Sequence, residues 1–298
     1  MLDVRFRKDA RLDTSQVQDV RGGGRRVPGG KPMAIGGGGG IIAVIVVLAI
    51  TLFGGGGGGL GDLGALSGQA VGPGVSPAAS EVATECRTGE DANEREDCRI
   101  VGVINSVQAY WSRALRGYEP TKTVFYDGVL QTGCGPASAE VGPFYCPQDR
   151  QVYIDLGFFD QLQSELGASG GPLAEAYVLA HEYGHYVQDL TGVLRSAGRD
   201  TGPQGGQVRV ELQADCYAGL WVGNALETGY IEDITRQDVA DALDAAAAVG
   251  DDRIQSRAQG RVIPESFTHG SAEQRQSWFV RGIEATGPQS CDTFRGQV

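Results

Sequence analysis

Histidine is nearly absent: the 298 residues hold three, at positions 181, 185 and 269. Imidazole chemistry is therefore confined to two short stretches. The six cysteines include no pair at C-x-x-C spacing, which argues against a second, thiolate zinc site. A basic body is also missing. The chain has 25 Lys/Arg against 37 Asp/Glu; eight of the cations and four Asp fall in residues 1–53, leaving 17 against 33 beyond. An acidic body argues against nucleic acid as its partner. One stretch, Ile41 to Phe53, lacks charge altogether.

Two of the scarce histidines stand in Ala180-His181-Glu182-Tyr183-Gly184-His185-Tyr186. Residues four apart share a helix face, so His181 and His185 can aim their rings at one metal ion. Glu182 is rotated to the side, where it addresses a metal-bound water as general base. Catalytic zinc takes three protein ligands and keeps one position open. The run Leu173 to Ala180 is helical in propensity and spacing, and Gly192 supplies a stop. The bland alternative is an amphipathic helix with two half-buried histidines.

The third ligand is sought downstream. Val208 to Asn224 reads as a helix carrying Glu211-Leu212-Gln213-Ala214-Asp215-Cys216. Glu211 lies 26 residues after His185, a distance that needs a helix–loop–helix return. Asp215 shares its face and can hydrogen-bond the distal nitrogen of a zinc-bound histidine. The competing reading of Glu211 is a surface salt bridge. His269, in Phe267-Thr268-His269-Gly270-Ser271-Ala272-Glu273-Gln274-Arg275, is a candidate second catalytic group that donates to a developing oxyanion.

The remaining chain divides by composition. Residues 1–32 read as a charged, glycine-rich, disordered cytoplasmic tail. From Met33 to Phe53 run 21 uncharged residues, ~31 Å as a helix and enough for one transmembrane anchor. All eight early cations precede it, which places the N-terminus in the cytoplasm. The rival is a cleaved signal peptide, for which the leading region is long and no A-x-A site follows closely. Residues 54–80 form a Gly/Pro-rich spacer, and the folded domain is expected at 81–298. Within it, Ile100, Val103, Ile104, Val107 and Trp111 form a helical core stripe. Thr123 to Tyr126 and Val152 to Leu156 read as strands.

All six cysteines lie beyond the apolar run, so an exported body is expected to carry disulfides. Spacing favours Cys86–Cys98 and Cys134–Cys146 as local loops, leaving Cys216–Cys291, although six cysteines allow 15 connectivities.

The HEYGHYVQ, ELQADC and FTHGSAEQR motifs, with one N-terminal anchor, resemble the bacterial family called putative neutral zinc metallopeptidases, over roughly residues 81–295. The metal motifs are also similar to those of gluzincins, whose third ligand is a glutamate on a following helix. The spacing of His269, Glu273 and Arg275 resembles a motif of membrane metalloproteases, which implies places near the reaction centre for His269 and Arg275. The resemblance implies an α+β, mostly helical zincin-like domain with a small sheet, whose edge strand pairs with substrate; Gln151 to Phe159 is the candidate for a strand near the cleft. The expectation is a Zn2+-dependent peptidase acting outside the cytoplasm on a peptide or protein substrate, with His181, His185 and Glu211 as ligands. An inactive metal-bearing envelope binding module and a zinc hydrolase of non-peptide substrates are the alternatives. An intact Glu182 speaks against the first, since a binding site has no use for a base.

Overall fold

The computed structural model describes residues 4–22 and 81–298. In chain order the elements are β1 (Arg5–Phe6), β2 (Val17–Asp19), α1 (Glu81–Glu85), α2 (Gly89–Glu94), α3 (Glu96–Ala114), β3 (Thr123–Phe125), β4 (Leu130–Thr132), β5 (Gly135–Ala137), β6 (Phe144–Cys146) and β7 (Gln151–Ile154). There follow α4 (Phe158–Ser164), α5 (Pro172–Thr191), α6 (Val193–Ser196), α7 (Gly206–Asn224), β8 (Ile231–Asp233), α8 (Arg236–Ala248), α9 (Asp251–Gln259) and α10 (Ala272–Glu284). This is a mixed α+β protein, mostly helical, with small sheets.

Local chemistry sets the helix ends. Pro172 opens α5, where its missing N–H costs nothing, and Gly192 closes it at φ 80° in the left-handed region. Thr235 and Ser271 cap α8 and α10, each closing a capping box with the residue three further on. Helix α3 buries the expected stripe, Ile100, Val103, Ile104, Val107 and Trp111.

Four strands form one sheet in the order β2-β3-β7-β6, with β2, β3 and β7 parallel and β6 antiparallel at an edge. This corrects the expectation for the strand beside the cleft. Strand β7 is interior, and Phe158 and Phe159 already belong to a helix. The edge is β6, whose Phe-Tyr-Cys triplet stands between Pro143 and Pro147 and so looks like turn in the sequence.

A second correction concerns the N-terminus. Residues 4–22 are not a disordered tail; they are built into the domain. Strand β1 pairs with β8, and β2 extends the main sheet beside β3. Phe6 is fully buried against Gly102, where a Cβ would come within 2.5 Å of its ring. The Asn93 side chain donates to the Phe6 carbonyl (2.9 Å) and accepts from its amide (2.8 Å), while Asn105 Oδ1 accepts from the Asp13 amide (2.8 Å). The folded unit therefore starts before position 81, because short edge strands need partners from the body to hold them.

Strands paired in one sheet occupy one compartment. A single crossing at 33–53, with residues 4–22 inside and 81–298 outside, does not fit this pairing. The apolar run and the spacer themselves lie outside the described residues; among those described, no helix is long and apolar enough to cross a membrane. Reporters fused at either terminus of the full chain are expected to read out the same compartment, and opposite readings would rule out the β2–β3 pairing in the cell.

Three disulfides link Cys86–Cys98, Cys134–Cys146 and Cys216–Cys291, the pairs favoured by spacing. The last spans 75 residues and joins α7 to the C-terminal segment. Helices α7 and α10 meet backbone to backbone. A Cβ on Gly219 would lie 2.1 Å from the Phe279 carbonyl oxygen, and one on Gly282 would lie 2.0 Å from that of Cys216. Only glycine permits that approach, and through it α10 carries Arg275 into the core beside α7.

Candidate metal centre

Helix α5 runs through the core and presents His181 and His185 along one face with Glu182 to its side, all within little more than a turn. Helix α7 crosses against it. At the crossing sits Gly184, where a Cβ would be 3.0 Å from Ala214 Cα and 3.1 Å from its carbonyl oxygen. The glycine between the two histidines thus lets α7 bring Glu211 and Asp215, which flank Ala214 one turn apart, up to the imidazoles.

The contacts are specific. Nε2 of His181 lies 3.1 Å from Glu211 Oε2, and Nε2 of His185 lies 3.5 Å from Glu211 Oε1. The other ring nitrogens are occupied. His181 Nδ1 faces Asp215 Oδ1 at 2.7 Å, and His185 Nδ1 faces Gln188 Oε1 at 2.8 Å. Hydrogen bonds at both Nδ1 atoms turn both Nε2 atoms toward Glu211.

Asp215, fully buried, is saturated with donors. Tyr177 Oη donates to Oδ1 (2.5 Å), and Arg275 donates through Nη2 to Oδ1 (2.9 Å) and through Nε to Oδ2 (2.8 Å). Gln188 is fixed in turn by donating to the Val210 carbonyl (2.7 Å) and to Gln213 Oε1 (3.1 Å).

Electrostatics divide the roles. Burial drags His185 down to about 4, against the pull of Glu211. Burial also opposes charge on His181, yet the Asp215 and Glu211 carboxylates raise it to about 10. Glu211 stays below the usual carboxylate range despite its burial, held there by His185 and His181. Burial pushes Glu182 up to about 7, only partly offset by the His181 charge and the Tyr145 amide.

Do these residues fit a metal? Tetrahedral zinc with bonds of about 2.0–2.2 Å places its ligand atoms about 3.3 Å apart. The 3.1 and 3.5 Å separations between the imidazole nitrogens and Glu211 bracket that value. Glu182 comes within 4.8 Å of both imidazoles and competes for the place of third ligand. Its Oε2, however, accepts from the Tyr145 amide at 2.8 Å, whereas Glu211 addresses both Nε2 atoms. The donor set therefore favours Glu211.

His269 also lines the cleft. Its Nδ1 is held by Asp251 Oδ1 (3.2 Å) and Thr268 Oγ1 (2.9 Å). Asp251 is itself anchored by the amides of Thr268, His269 and Gly270, at 2.7, 2.6 and 3.0 Å. Burial works against a charged His269, but the Asp251 carboxylate raises its pKa. The cleft encloses about 310 Å³. Its lining combines Glu182, Glu211 and the imidazoles with apolar Phe144, Phe158, Val178, Val249 and Ile254.

Every residue proposed from the sequence for metal binding or catalysis meets in this one place. Sequence reasoning missed Tyr177, Gln188, Tyr145 and Asp251. Helical spacing held a signal for the first two, at four residues before His181 and three after His185. Asp251 lies 18 residues before His269 with nothing local to connect them, and Tyr145 acts partly through its backbone.

Two imidazoles and a carboxylate converging in an open cleft, with another carboxylate alongside, form the type of centre used by metal-dependent hydrolases. The chain belongs to the family described as "Putative neutral zinc metallopeptidase", which it matches over residues 5–294. It is 53% identical over 219 residues to an uncharacterized protein of Mycobacterium tuberculosis (strain ATCC 25618 / H37Rv), covering 71% of this chain and 75% of that one. It is 43% identical over 213 residues to the uncharacterized protein YpfJ of Escherichia coli (strain K12), covering 68% and 73%. No solved structure matches the chain.

Proposed function

We propose that the protein is a zinc-dependent peptidase of zincin type, with His181, His185 and Glu211 as ligands. The observation that carries this reading is the convergence of both Nε2 atoms on Glu211, with Glu182 beside them at the cleft. When bound, zinc supplies Lewis acidity toward the scissile carbonyl and lowers the pKa of an attacking water.

The chain's own residues do the rest. Glu182 takes the proton from the attacking water and later passes it to the leaving amine; a carboxyl group held near 7 suits both directions. His269, whose protonated form the Asp251 carboxylate favours, donates from Nε2 to the oxygen that becomes negative as the carbonyl turns tetrahedral. Asp215 and Gln188 hold the two ligand imidazoles in one tautomer. Arg275 acts through Asp215, not on the substrate.

Three disulfides suit an oxidising compartment, so we place the whole folded unit, residues 4–22 included, outside the cytoplasm.

The test is zinc content together with cleavage of a mixed peptide library by the full chain. His181→Ala should abolish stoichiometric zinc, and Glu211→Ala should weaken it severely. Asp215→Ala should weaken it ~10–100-fold, the effect of losing a partner behind a ligand. His269→Ala should leave zinc bound and lower kcat ~10²–10³-fold. If His269→Ala empties the site while Glu211→Ala leaves it full, the ligand set is three histidines and the assignment of Glu211 fails.

A further inference from the structure

Tyr145 of strand β6 makes two hydrogen bonds to helix α5. The Tyr145 amide donates to Glu182 Oε2 at 2.8 Å, and its phenol donates to Asp189 Oδ2 at 2.9 Å. Glu182 and Asp189 are seven residues apart on α5, so they share a face two turns apart. One tyrosine therefore bridges from strand to helix at two points, with the base at one of them.

The pairing register explains why this amide is free for the task. Tyr145 stands opposite Val152 on β7, and the Val152 amide donates away from β6, to the Lys122 carbonyl on the β3 side (3.1 Å). Tyr145 therefore occupies a position whose backbone groups point outward from the ladder, toward α5. The neighbouring pairs, Phe144 with Tyr153 and Cys146 with Gln151, make the ladder bonds.

The strand is held at this distance from several sides. Cys146 is tied to Cys134 by a disulfide. The Tyr145 ring packs on Tyr186 of α5 with centroids 5.5 Å apart. Asp189 is steadied by Arg195, whose Nη1 donates to Oδ1 at 3.1 Å. A carboxylate that accepts a fixed N–H on one oxygen cannot rotate freely, so the other oxygen keeps its aim into the cleft.

We propose that Tyr145 is the positioning residue for the base: its phenol locks β6 to Asp189, and its amide thereby fixes the orientation of the Glu182 carboxylate. This rests on the peptidase reading for the role of Glu182, but the clamp itself does not.

The experiment has two arms, both on the zinc-loaded full chain. The first measures backbone amide exchange at single residues. In the wild type the Tyr145 amide is expected to be protected although no strand claims it. Glu182→Ala should speed its exchange at least about tenfold, the scale of one lost hydrogen bond to a charged group, while Cys146 and Val152 are unchanged. Glu182→Gln retains an acceptor oxygen and should preserve the protection. Equal exchange at Tyr145 in the wild type and Glu182→Ala overturns the clamp.

The second arm measures peptide hydrolysis. Tyr145→Phe and Asp189→Ala should each lower kcat about tenfold with KM changed less than twofold and zinc content intact. Asp189→Asn, whose amide oxygen still accepts the phenol, should restore kcat to near wild type. Unchanged kcat in Tyr145→Phe, or a change in KM alone, overturns the positioning role. If the wild type cleaves no peptide, the peptidase reading fails, and the exchange arm still decides whether the clamp exists.

Discussion

Glu182→Gln is expected to keep one zinc per chain and lose ~10²–10⁴-fold in kcat, the range attributable to a positioned general base. The substitution is nearly isosteric, and Gln still offers an oxygen to the Tyr145 amide, so the cleft keeps its shape. What it removes is the ability to accept a proton. Burial has already moved Glu182 up to about 7, which marks a group that exchanges protons near neutrality and not a carboxylate fixed in a permanent ion pair. Single-turnover cleavage of a peptide identified from the library, with zinc measured in the same sample, checks this. Wild-type turnover in Glu182→Gln would remove the base from the mechanism.

Arg275→Ala is expected to cost ~3–5 kcal/mol of stability, the loss found when one partner of a buried ion pair is removed. The guanidinium is 4% exposed and donates to both oxygens of Asp215, to the Tyr177 oxygen at 3.2 Å and to the Val249 carbonyl at 3.3 Å. Without it, fully buried Asp215 loses its permanent cationic partner and keeps only the contacts from His181 and Tyr177 among the described residues. The hydrogen bond to His181 Nδ1 then loses its fixed anchor, so zinc affinity should fall with stability. Denaturant midpoints compared at constant m-value measure the first effect. Arg295→Ala is the control: that side chain is 90% exposed and pairs with Asp292 on the surface, and its loss should stay within about 0.5 kcal/mol. Equal midpoints for the two variants would show that the buried network is not what holds α10 to α7.

The chemistry of the site was legible because it is written on helices. His181, Glu182 and His185 fall within a turn or so, and a period of 3.6 converts the spacing of the two histidines directly into a shared face. Glu211 and Asp215 obey the same rule one helix later. What spacing could not supply was the distance between the helices. That depends on Gly184 meeting Ala214, a contact between residues 30 apart in sequence. Arg275 was suspected only by resemblance. Its part in the site depends on Gly219 and Gly282 letting α10 approach α7, and no local pattern records that.

Strands were harder to read. Phe144, Tyr145 and Cys146 make a strand too short to show alternation, between two prolines that signal a turn. Its place at the sheet edge comes from pairing with β7. Residues 4–22 misled for a related reason. Their charge and the glycines that follow are those of a solvated tail, and Phe6 is one apolar residue among many polar ones. Its burial becomes visible only once Gly102 is seen opposite it.

By itself the sequence determined the helices, their caps, the two-histidine face and the pairing of cysteines close in sequence, because each is settled by interactions within a few residues. The tertiary structure alone decided which carboxylate faces both imidazoles, which strand borders the base, what holds His269, and that residues 4–22 belong to the body. Those outcomes depend on backbones meeting across long stretches of chain, where a missing Cβ or a single β-register sets the distance and leaves no periodic trace.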